Sequence, residues 1–136
     1  MSAKTLAADR SGLYRAPADL ASLKKQAREA SLAWVDLPLQ DVSNKKQFMA
    51  QCVRQMKLPS YFGGNWDALA DCVRDFNWMS AKGYVLHISG SDKLAAAAPS
   101  EFQTALAVLG EAAEFWKNRN MPFVVLCDGA GNLPTF

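Results

Sequence analysis

Three aspartates at helical spacing, Asp67, Asp71 and Asp75, are the side chains in this sequence best placed to do chemistry. Each helical residue turns the chain by about 100°, so they share one face. The opposite face carries the apolar residues of the same segment, which are Trp66, Leu69, Val73 and Phe76. Carboxylates four residues apart repel by about 0.2–0.5 kcal/mol per pair. Two interpretations therefore stay open at this point: a solvated face that is acidic, or a row of carboxylates displayed to a basic partner.

Catalysis is a third interpretation of the same residues. Asp67 and Asp71 would lie about 6 Å apart along the helix axis, close enough for a general acid and base pair. Such a pair needs a cleft that raises the pKa of one acid, and the outer face of an amphipathic helix does not supply one. His87, in the middle of a predicted strand, indicates a hydrogen-bonded structural residue. We expect that the protein is not an enzyme and that it has no metal site and no cofactor.

The segment before the aspartates has the composition of a shaped loop. Pro59 ends the preceding helix because its ring removes a backbone donor. Gly63 and Gly64 supply backbone freedom, and Asn65 is a favoured N-cap. A helix N-terminus attracts phosphate, but the aspartates that follow would repel it. The pattern predicts a loop and a capped helix rather than a phosphate site.

Composition and charge narrow the class of protein further. The chain has 136 residues, 50% hydrophobic and 21% charged, which is typical of one globular domain over residues 1–136. No apolar run approaches the ~18 residues of a membrane span, and no secretion signal is recognisable. The three cysteines lack metal-type spacing and predict reduced thiols in the cytoplasm; they are Cys52, Cys72 and Cys127.

The net charge of +2 conceals an asymmetry between the two halves of the chain. Residues 1–58 carry a balance of +5 and residues 59–136 a balance of −3. A basic half can indicate nucleic-acid or membrane contact. Its charges are scattered, however, and lack the aromatic interleaving of a single-strand binder. We therefore expect no direct nucleic-acid binding and no membrane contact.

The hydrophobic pattern predicts three strands alternating with helices. The predicted strands are residues 32–37, 84–88 and 123–127, and the aspartate helix is predicted to end around residues 77–80. More than a dozen residues separate successive strands, so parallel pairing through crossovers is the economical topology. We expect an α/β fold with a three-stranded parallel sheet packed with helices. Residues 1–11 are expected to be disordered, and residues 12–15 to add a short extended segment.

The loop and the aspartate helix together form a specific motif. It reads Leu58-Pro59-x-Tyr61-Phe62-Gly63-x-Asn65-x-Asp67-Ala68-Leu69-x-Asp71-Cys72. This motif resembles that of the barstar family, the intracellular inhibitors of barnase-type ribonucleases. The order of strands and helices is similar as well, and the resemblance covers residues 31–128. Residues 12–30 would be an N-terminal extension that contains a helix.

The resemblance implies a barstar-like fold and a function as a ribonuclease inhibitor. In that family the loop and the helix plug the active site of a basic ribonuclease, and acidic side chains meet its basic residues. By motif position Tyr61 is the aromatic contact, Asp67 and Asp71 are the charged contacts, and Gly63 and Asn65 shape the loop. The full set of expected partner-binding residues is Tyr61, Phe62, Gly63, Asn65, Asp67, Ala70, Asp71, Arg74 and Asp75. The implied role is that of an antitoxin or immunity protein.

The sequence departs from the family pattern at two places along the helix. The family tryptophan before the second aspartate is replaced by Ala70, and the glycine after the helix is replaced around Arg74 and Asp75, which adds a carboxylate. An alternative function therefore stays open: a module with the same fold that binds a basic partner other than a ribonuclease. The oligomeric state is open, with a monomer as the simplest expectation.

Overall fold

The computed structural model describes residues 5–59, 62–129 and 132–136. Its strands are β1 (Gly12–Arg15), β2 (Ala33–Pro38), β3 (Tyr84–Ser89) and β4 (Phe123–Cys127). Its helices are α1 (Leu20–Glu29), α2 (Lys45–Met56), α3 (Trp66–Val73), α4 (Asp92–Ala97) and α5 (Pro99–Lys117), and a 3-10 helix spans Ala8–Arg10. α3 contains the first two of the three aspartates.

The four strands form one parallel sheet in the order β1-β4-β3-β2. The expected α/β class with parallel pairing is confirmed, but the expected number of three strands is wrong. Residues 12–15, expected only as an extended segment, pair along the outer edge of β4, with Leu13 opposite Val125. The added strand satisfies backbone groups that β4 would otherwise leave unpaired at the edge of the sheet.

Helices and chain segments cover both faces of the sheet. Alternate strand residues such as Leu86 and Val125 face a core cluster shared with α2, α3 and α5. The intervening residues, including Val85 and Val124, face a second cluster that contains Leu23 of α1. All five residues of β4 are buried, as expected for a strand covered on both sides. The result is a three-layer arrangement with α3 and α1 on opposite sides.

Residues 5–11 differ from the expectation of disorder. The 3-10 helix lies within them, and Leu6 is buried in the second cluster. The Ser11 hydroxyl lies 3.3 Å from the carbonyl oxygen of Met121 and accepts from the backbone N–H of Phe123 at 3.0 Å. These contacts join the segment to residues more than a hundred positions away, so no local pattern indicates them. Residues 1–4 lie outside the described chain.

His87 lies on β3 between two carboxylates. Its Nε2 is 3.0 Å from Oδ1 of Asp128, and its Nδ1 is 3.4 Å from Oδ1 of Asp36. The indole N–H of Trp34 donates to the same Asp36 oxygen at 3.0 Å. The group links β2, β3 and the residue that follows β4, which fits the structural role expected for this histidine.

The start of β3 provides a test of the packing. A Cβ atom at Gly83 would lie 2.6 Å from Cγ of Pro122 and 2.8 Å from its carbonyl oxygen, so the backbone would have to move. We expect Gly83→Ala to lower the free energy of unfolding by about 1–3 kcal/mol. Urea denaturation measures this.

Gly110→Ala is the matched control for this substitution. Its Cβ would meet Leu13 at an ordinary 3.5 Å in the middle of α5, so we expect no loss, or a gain of about 0.5–1 kcal/mol from helix propensity. Wild-type stability in Gly83→Ala would contradict the close approach of these segments.

Candidate protein-interaction site

The loop before α3 is anchored at its start. α2 ends at Met56, its C-cap Lys57 has left-handed backbone angles, and the following Leu58 is buried. The backbone N–H of Phe62 donates to the carbonyl of Pro59 at 3.0 Å, and the Phe62 side chain packs half-buried against the core. Tyr61, the expected aromatic contact, lies outside the described residues.

The turn into α3 depends on one glycine and one cap. Gly64 has φ +72°, a conformation that favours glycine, although a Cβ there would meet open space. Gly63 is exposed beside it. The Oδ1 of Asn65 accepts from the backbone N–H of Ala68 at 2.8 Å, which satisfies one of the free donors at the helix start. The expected N-cap is confirmed.

α3 is an eight-residue helix with one buried face and one exposed face. Leu69 and Val73 are fully buried. Asp67 and Asp71 are exposed, and the side chain of Asp71 retains 78% of its accessible surface. Ala70, at the position of the family tryptophan, is half-buried. The two carboxylates therefore project from a backbone that the core fixes.

The end of α3 differs from the prediction, because the helix stops at Val73 rather than around residues 77–80. The backbone N–H groups of Asp75 and Phe76 both donate to the carbonyl of Cys72 at 3.1 Å, and Phe76 adopts a left-handed φ of 51°. This turn places the Phe76 ring in a stack with Tyr84, with centroids 4.6 Å apart. Asp75 consequently follows the helix instead of extending its row of carboxylates.

The electrostatic surroundings of the three aspartates differ. Burial raises the pKa of the Cys72 thiol, and the Asp75 and Asp71 carboxylates raise it further. Burial also raises the pKa of the Tyr84 phenol, with a further contribution from Asp75. The negative charge of Asp75 therefore acts on Tyr84, the first residue of β3. Within the described chain, Asp67 and Asp75 form no ion pair, whereas Asp71 pairs with Arg74.

Arg74 folds back over the last turn of α3. Its Nη2 lies 3.0 Å from Oδ1 of Asp71, and its Nε–H donates to the carbonyl of Ala70 at 3.1 Å. The structure therefore brings Asp67, Ala70 and Asp71 together on α3. Gly63 and Asn65 lie at its start, and Arg74 and Asp75 follow its last residue.

Trp66 makes contacts that sequence reasoning missed. Its indole N–H donates to Oε2 of Glu101 on α5 at 3.2 Å, and Nζ of Lys45 on α2 lies 5.7 Å from its ring centroid. The ring is also 5.7 Å from that of Phe48. Glu101 is 35 residues downstream, so no local pattern relates it to the motif. The half-buried ring brings one acidic and one basic side chain of neighbouring helices close to the start of α3.

The acidic side of α3 is exposed at Asp67 and Asp71. A cleft of about 310 Å³ is lined by residues of β2, α2 and their connection, and one of about 390 Å³ is lined by α1 and β2 residues. Neither cleft includes a residue of α3.

In the part of the chain that the structure describes, no group of three or more His, Cys, Asp or Glu residues could hold a metal ion. No helix there is long and apolar enough to cross a membrane.

The domain presents a short helix with two exposed aspartates on a parallel α/β scaffold. The family model described as Barstar (barnase inhibitor) matches residues 32–128, and the chain therefore belongs to the barstar family. No curated protein matches the sequence. The family assignment made from the loop and helix motif is confirmed. The match begins at β2, so β1 and α1 lie outside it, and the fourth strand belongs to the N-terminal extension.

The thiols provide a test of the packing around the site. Burial raises the pKa of Cys52, Cys72 and Cys127, and all three are buried. Because the thiolate is the reactive form, we expect a chromogenic disulfide reagent at about pH 8 to react at least tenfold more slowly with the native protein than with the unfolded chain. Release of the chromophore is the measurement. Rapid native reaction of one thiol would show that its segment opens.

Proposed function

We propose that this protein inhibits a basic ribonuclease or a related toxin by covering its active site with α3 and the loop before it. The exposed, ion-paired carboxylate of Asp71 on a fixed helix carries this proposal. Membership of a family described as barnase inhibitors supports it. The inhibitor would act as an antitoxin or immunity protein in the cytoplasm, as a monomer and without a cofactor.

The physical basis is the replacement of phosphate by carboxylate. A ribonuclease active site contains basic side chains that hold the phosphates of RNA when no inhibitor is bound. Asp67 and Asp71 lie one helical turn apart and would meet such side chains. Complementary charges raise the association rate and select against wrong partners. Because the core already fixes the helix, little backbone freedom would be lost on binding.

The alternative is a basic partner without nuclease activity. Ala70, in the middle of α3, supplies no aromatic ring, and Arg74 adds a positive charge beside Asp71. Both features would alter which partner fits. A pull-down that depends on the α3 aspartates and retains only a protein without nuclease activity would favour this alternative.

Inhibition of RNA cleavage tests the proposal directly. The protein is titrated into basic ribonucleases, including any encoded beside its gene, and we expect activity to fall in proportion to a one-to-one complex. The affinity should decrease between about 0.05 and 0.5 M salt, since the Debye length falls from more than 10 Å to a few ångströms. Undiminished cleavage with every such ribonuclease would rule the function out.

Asp71→Ala separates binding from folding. We expect affinity for the inhibited ribonuclease to fall by well over ~1 kcal/mol, about tenfold or more, because the partner's cation loses its carboxylate. The midpoint of thermal unfolding should change little, since an exposed ion pair contributes only about 0–1 kcal/mol. Asp41→Ala, which removes an exposed aspartate from the β2–α2 connection, is the control with the same charge change. An equal loss of stability and affinity in Asp71→Ala would make the residue structural.

A further inference from the structure

We propose that Arg74 determines which basic partners can bind α3. It disfavours a partner that presents only cations and favours one that places a hydrogen-bond acceptor, a carboxylate or a backbone carbonyl, opposite Arg74. This inference rests on the proposed function, because it concerns the same surface. It adds a requirement that the aspartates alone do not impose.

The guanidinium of Arg74 lies over the last turn of α3. Two contacts hold it: Nη2 to Oδ1 of Asp71 at 3.0 Å, and Nε to the carbonyl oxygen of Ala70 at 3.1 Å. The carbonyl contact lies at the C-terminal end of α3, where the helix dipole favours a cation. Arg74 therefore lies beside Asp71 at the C-terminal end of α3.

The surface around Arg74 has a mixed charge pattern. Along the chain the site presents carboxylates at Asp67 and Asp71, a cation at Arg74 and a carboxylate at Asp75. A lysine or arginine approaching Asp71 also approaches Arg74, and the repulsion offsets part of the attraction. A partner surface made only of cations is complementary to the aspartates but not to the whole pattern.

Arg74 has N–H donors left over for a partner. A guanidinium carries five N–H donors, and the contacts with Asp71 and Ala70 engage two of its nitrogens. No other described residue accepts from it. The free donors suit a carboxylate or a carbonyl on the partner, in the planar geometry that arginine favours. A partner with cations on either side of such an acceptor would match all four charges.

Arg74→Met tests the inference, because methionine keeps an apolar stem and removes the charge and the donors. Arg54→Met is the matched control: Arg54 is exposed in the last turn of α2, donates to Gln51 three residues earlier, and its replacement makes the same change in net charge. Both variants and the wild type are titrated with poly-lysine at about 0.1 M salt, where a Debye length of about 10 Å confines the effect to nearby charges. The same proteins are titrated with the ribonuclease that the wild type inhibits, and thermal unfolding is followed for each.

We expect Arg74→Met to bind poly-lysine about threefold or more tighter than Arg54→Met, and to bind the inhibited ribonuclease about tenfold or more weaker. A residue that only caps α3 would lower the unfolding temperature without raising the affinity for poly-lysine. Equal poly-lysine binding by the two variants, or tighter ribonuclease binding by Arg74→Met, would overturn the inference. If the wild type inhibits no ribonuclease, the proposed function fails, and the poly-lysine comparison alone decides the role of Arg74.

Discussion

A hydrogen bond from the long helix α5 to the end of α3 holds the acidic surface in place. The indole N–H of Trp116 donates to the carbonyl of Val73 at 2.8 Å, and this oxygen is one of those that a helix C-terminus leaves without an internal partner. The Trp116 ring packs on Tyr84, which stacks in turn on Phe76. An isolated helix of eight residues is unstable in water. The direction of its carboxylates is therefore set by the core beneath it.

The local chemistry of the site was predictable from sequence, and its boundary was not. Asn65 and the glycines before it indicate the start of a helix, and the structure confirms the cap. The end is ambiguous because Phe76 fits the helical spacing of the apolar face. Its left-handed conformation is stabilised by a ring contact with Tyr84, on a strand that follows it in the chain. A pattern of hydrophobic residues cannot distinguish these two ways of burying the same side chain. The role of each site residue in binding, including that of Tyr61, stays a prediction.

The fold was predictable where the strands are apolar and separated by long helices. Strands β2, β3 and β4 have that character, and the lengths of their connections exclude hairpins and favour the parallel pairing that the structure has. β1 has only four residues of mixed polarity, and its partner strand is more than a hundred residues away. The contact between Trp66 and Glu101 escaped prediction for a similar reason. Both depend on how the helices and strands meet in space.

The contacts between β1 and the last described residues have a practical consequence for handling the protein. The backbone N–H of Arg15 donates to the carbonyl of Pro134 at 2.7 Å, and that of Phe136 donates to the carbonyl of Arg15 at 3.0 Å. Leu6 and Phe136 pack in the cluster on the sheet face opposite α3. A linker attached before Leu6 or after Phe136 would tether the molecule to a sensor chip by the sheet face opposite α3. In both cases the acidic helix would face the solution that carries the partner.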